Sequence, residues 1–68
     1  MTQTAQLRKS TRTALSASDV TLRDAARRAG LPYFGIQKQI TGQRRVHPAD
    51  LTKLMAAITE LESERASR

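Results

Sequence analysis

The sequence predicts an all-α fold, a compact four-helix domain, on three observations. Apolar residues recur at the three- and four-residue spacings of a helix face. Glycine or proline stands where most of these runs begin or end. The chain has 68 residues and no cysteine, so one small domain must hold together by packing alone, without a disulfide framework or a thiolate metal site.

Met1 to Thr4 is polar and is expected to be disordered. Leu7, Thr11, Ala14 and Leu15 then form a narrow helical stripe whose other faces carry Arg8, Lys9 and Arg12. The stretch 16–19, Ser-Ala-Ser-Asp, has turn composition. Thr21 followed by Asp24 fits a capping box, in which the hydroxyl accepts an early amide and the carboxylate reaches back, so a second helix starts near Leu22. Its apolar face is Leu22, Ala25, Ala26 and Ala29, and the alanines allow another helix to approach closely. Gly30 falls where a left-handed terminus is needed, and Pro32 presets φ for the first turn of a new helix.

The third helix is expected from Pro32 or Tyr33 to Thr41, with Ile36 and Ile40 as inward anchors and Gly42 at its end. Gly35 inside so short a helix implies a close approach, to a ligand or to the second helix. Gln43, Arg44 and Arg45 make a basic loop. Pro48 and Asp50 open a fourth helix whose stripe is Leu51, Leu54, Met55, Ile58 and Leu61 and whose end is expected near Glu62. The domain thus spans 5–62, with a disordered tail over 63–68. The spacing of the fourth helix covers too few heptads for a coiled coil, although it can serve both a core and a dimer seam.

The net charge is +6 and the pI about 11.2. Nine basic residues and two acids, Asp19 and Asp24, lie between Met1 and Arg45, whereas Lys53, Arg65 and Arg68 face Asp50, Glu60, Glu62 and Glu64 beyond it. The basic field therefore covers the first two-thirds of the chain and favours a polyanionic partner. No apolar run has signal-peptide or membrane-span character, which points to a soluble cytoplasmic protein without a membrane partner. The single His47, three residues before Asp50, has no nucleophile or second base beside it, and a catalytic role is not expected. Gly30 and Gly35 are spaced as in a phosphate-binding loop, but the required Lys-Ser/Thr is absent. No cofactor or small-molecule effector is implied.

The run from Thr21 to Gly42 resembles the helix-turn-helix of the phage lambda repressor and Cro-like family. The resemblance rests on Ala26 at the helix crossing, Gly30 in the turn, Leu31 after it, Ile36 in the recognition helix, and Gly42 before Arg44 and Arg45. Family members often have a phosphate-contacting glutamine at the place of Leu22, a capping Ser or Thr at that of Pro32, and an apolar residue at that of Gln39. The resemblance covers about residues 5–60 and implies double-stranded DNA as partner, bound by a homodimer. It implies base contacts from Tyr33, Phe34, Gln37, Lys38 and Thr41, and phosphate contacts from Thr21, Arg23, Arg44 and Arg45. Gln37 can pair with adenine, Lys38 with guanine, and an aromatic ring can pack on a thymine methyl. The function so implied is transcriptional regulation of the repressor or Cro kind, in a bacterial or phage-infected host cell, close to the nucleoid. Two other readings fit the same composition: an excisionase-like DNA-bending recombination factor, which would usually add a two-stranded wing, and a protein-interaction module such as an antitoxin.

Overall fold

The computed structural model describes residues 3–67. It contains helices α1 (Gln3–Ala17), α2 (Leu22–Ala29), α3 (Tyr33–Thr41) and α4 (Pro48–Ala66), and there is no strand among the described residues. The longest helix, α4, packs against α1 and α2, and α3 packs against the same two.

Leu7, Ala14 and Leu15 of α1 lie half-buried against the core, as their spacing predicts, and Thr11 between them is fully buried. Its hydroxyl donates to the Leu7 carbonyl at 2.8 Å, which satisfies the polar group within its own helix. The following turn is stitched by Ser18, whose hydroxyl accepts from the Val20 amide at 3.3 Å. Val20 and Val46, both outside the helices and without a place in any periodic stripe, are buried core residues.

The hydroxyl half of the expected capping box is formed: Thr21, at φ −85° and ψ 155°, accepts from the Asp24 amide at 3.1 Å. The carboxylate of Asp24 instead faces Arg65 on α4. Ala25 and Ala26 are essentially inaccessible, so two methyl groups let the backbone of α2 come close to its neighbours. Gly30 then takes φ 73°, where its amide donates to the Arg27 carbonyl at 3.1 Å while Leu31 donates to that of Ala26 at 2.9 Å. This paired closure uses two otherwise orphaned carbonyls and requires the left-handed conformation that glycine adopts without strain.

Pro32 stands just outside α3, which begins at Tyr33; its carbonyl accepts the first helical bond, from Ile36 at 3.0 Å. Ile36 and Ile40 point inward as expected, joined in the core by Leu51, Leu54 and Ile58 of α4. Each such side chain contributes about 1.5–3 kcal/mol when fully buried.

Both ends of the chain differ from expectation. Gln3 and Thr4 already belong to α1, while Met1 and Thr2 lie outside the described residues. At the other end α4 continues to Ala66 rather than ending near Glu62, so 63–66 is helix and not a disordered tail. The reason is tertiary: Glu64 and Arg65 are tied to α2 and to the turn before it. Arg28 bonds Glu64 at 2.5 and 2.7 Å, and Arg65 reaches Asp24 and the Asp19 carbonyl. Arg68 is outside the described residues.

Candidate functional site

Burial of Ile36 and Ile40 fixes which side of α3 faces outward. Phe34, Gln37, Lys38 and Thr41, spaced by three, one and three residues, form a continuous exposed stripe on that side. Among the described residues Phe34 is the large apolar side chain that the fold leaves in water, 71% exposed. Thr41 turns its hydroxyl back onto the carbonyls of Gln37 and Lys38, which leaves its methyl as the group it presents. Tyr33 is set apart from this stripe. Its ring is half-buried, meets Phe34 edge-on at 5.4 Å and lies under the Arg23 guanidinium at 4.8 Å. The contact links the first turns of α2 and α3 and holds Arg23 at the start of the stripe.

The loop after α3 is aimed by one carbonyl. Lys38 accepts from the amides of Gly42, Gln43 and Arg44, with Gly42 at φ 90° making the tight reversal. Arg44 consequently folds back along α3. A Cβ placed on Gly35 would lie 3.4 Å from Arg44 Nη1 and 3.3 Å from Pro32 Cγ. The close approach that Gly35 implies is thus made by Arg44 and Pro32, not by α2. Arg45 is exposed in the same loop, while Thr21 sits at the start of α2 with its hydroxyl already engaged as a cap.

Two residues without an assigned role in the sequence reading support this surface. Gln39 is 3% exposed and works as a clasp: Oε1 accepts from the His47 amide at 2.9 Å and Nε2 donates to Asp50 at 3.2 Å. An amide at this position fixes the loop and the first turn of α4 relative to α3, which an apolar residue could not do. The Arg8 side chain of α1 donates from Nε to the Gln39 carbonyl at 2.9 Å and lies alongside Gly42, so a cation sits at the C-terminus of α3. For Gln39 the legible signal was its place three residues after Ile36, on the inward side; for Arg8, its place one residue after Leu7.

The ion pairs sort the cations. Arg28 is taken up by Glu64 and Glu60, and Arg65 by Asp24. The hydrogen bond and charge of Glu64, followed by those of Glu60, hold the Arg28 guanidinium above its ordinary pKa. No ion pair among the described residues involves Lys38, Arg44 or Arg45, and the sequence from Leu31 to His47 contains no acid. Glu60 and Glu64 of α4 and Asp24 of α2 pair with cations where these two helices meet, and Asp50 is turned onto Gln39. The exposed stripe of α3 and its loop thus carry basic groups without a carboxylate of their own.

Among the described residues no cluster of His, Cys, Asp or Glu could hold a metal ion, and no helix is long and apolar enough to cross a membrane. Comparison with known proteins gives no match: no family model, curated protein or solved structure matches the chain.

Proposed function

We propose that the protein is a sequence-specific DNA-binding regulator in which α2 and α3 act as a helix-turn-helix and α3 enters the major groove. The observation that carries this reading is the acid-free outer stripe of α3, with its amide, ammonium and apolar groups, flanked by Arg44 laid against Gly35. An exposed helix surface of this kind fits a groove about 12 Å wide, in which Gln37 and Lys38 can meet adenine and guanine edges and Phe34 a thymine methyl. Arg23, Arg44 and Arg45 frame the stripe and would hold phosphates, which fix register without reading sequence. Tyr33, braced by Arg23, positions the start of α3 and contributes its exposed edge to the same surface. Thr21 contributes by ordering the first turn of α2, whose amides can face a phosphate.

Regulation follows from occupancy. A homodimer would set two copies of α3 about 34 Å apart on successive major grooves and obstruct transcription at a site of dyad symmetry. The resemblance to repressor and Cro-like proteins agrees with this mechanism. The segment between α3 and α4 is six residues of irregular structure, which leaves little room for the wing of a DNA-bending factor.

Selection of bound duplexes from a random library tests the reading. Gln37→Ala and Lys38→Ala should each relax the selected motif at one position per half-site, with a loss of about 1–3 kcal/mol of discrimination there. Arg44→Ala should weaken every sequence alike and reduce the salt slope by about one. Equal binding to selected and random duplexes would refute sequence-specific recognition.

A further inference from the structure

The α3 reading leaves one exposed side of α1 without a role. Ala5, Arg8, Lys9, Arg12, Thr13 and Ser16 line a shallow open groove along it. Small residues separate the long basic side chains. The sequence of α1 contains no acid, and no ion pair among the described residues involves Lys9 or Arg12. Both are exposed. Arg28 and Arg65, by contrast, are engaged by carboxylates across helices.

The position of the groove is set by Arg8, which is bonded to the Gln39 carbonyl and lies beside Gly42. That contact joins the α1 face to the C-terminus of α3 and to the loop that carries Arg44 and Arg45. We infer that Lys9 and Arg12 form a second phosphate-binding track, which receives the backbone of the same duplex beyond the groove occupied by α3. The inference rests on the DNA-binding reading given above. Charge complementarity selects the ligand: two exposed cations beside the small residues Ala5, Thr13 and Ser16 suit a chain of phosphates, which long basic side chains hold without reading bases. The track lengthens the footprint without altering the sequence read.

The double variant Lys9→Gln/Arg12→Gln of the full chain tests it, with Arg8 kept because it holds α3. Binding to the selected duplex is measured across a salt series, and contacts are mapped by hydroxyl-radical footprinting. The expected result is a salt slope reduced by about 1.8, for two phosphates at about 0.9 each. The footprint should shorten at one edge, and the selected motif and the thermal midpoint should stay as in the parent. An unchanged slope and footprint in a variant that still binds selectively would overturn the track and leave the α3 reading standing. A loss of polyglutamate binding with an unchanged DNA slope would likewise overturn it, in favour of an acidic protein partner. Absence of selective DNA binding by the parent chain would overturn both.

Discussion

Gln39 is the residue whose chemistry is least replaceable. Both ends of its amide are used, one by the His47 amide and one by Asp50, and its own carbonyl receives Arg8. A leucine would fill much of the space and satisfy neither partner. Gln39→Leu is expected to cost about 1–3 kcal/mol, the penalty for stranding groups that lose a buried partner. Chemical denaturation would measure it, and a neutral or stabilising result would show that the clasp is dispensable. The inward position of Gln39 could be inferred from the helical period, but its partners could not, because the loop that supplies the His47 amide has no periodicity. Phe34 is the converse case. Adjacent residues on a helix diverge by about 100°, so the sequence requires that Tyr33 and Phe34 part company. Which of them is outermost depends on Arg23, whose guanidinium covers Tyr33 from the neighbouring helix.

At the scale of the element, the last turns of α4 owe their order to α2. An isolated helix end frays, and 63–66 has no apolar residue larger than alanine to anchor it. Arg28, Arg65 and their carboxylates supply the attachment instead. Arg28→Ala should therefore speed amide exchange over 62–66 and leave exchange in α3 unchanged, as read by hydrogen-exchange mass spectrometry. Uniform protection in the variant would show that α4 holds its own end. The sign of the pH dependence follows from the raised Arg28 pKa. A base held above its ordinary value stabilises the fold below that value and loses its effect only as pH rises through the shifted one. Loss of the Arg28 charge therefore lies beyond the neutral range, and salt is the stronger lever on this contact. The helices, their order and the glycine closures at Gly30 and Gly42 were all legible in the sequence, because each depends on residues within one or two turns. The extension of α4 was not, because its attachment spans 36 residues in the case of Arg28 and Glu64.

At the scale of the whole molecule, size governs stability. A chain of this length is expected to be stable by about 3–10 kcal/mol. Leu54 is fully buried where α4 meets the rest of the core, and its truncation to alanine should cost about 2–5 kcal/mol. That is a large fraction of the total. Leu54→Ala is expected to be substantially unfolded near 37 °C by circular dichroism, whereas the exposed Lys9→Gln/Arg12→Gln change leaves the melt in place. A cooperative melt in Leu54→Ala at the parent's midpoint would contradict the assignment of the core.

By itself the sequence determined an all-α chain of four helices, the glycine and proline punctuation between them, and the outward stripe of α3. These follow from periodicity and from φ preferences, which act over a few residues and leave their mark in local order. Only the tertiary structure decided how the charges are shared. Twelve lysines and arginines look alike in the sequence. Folding pairs Arg28 and Arg65 with carboxylates of distant helices, lays Arg23 on Tyr33 and Arg44 against Gly35, and seats Arg8 on α3. The physical reason is that an ion pair or a stacked guanidinium needs a few ångströms of separation, and that distance is set by packing rather than by position along the chain.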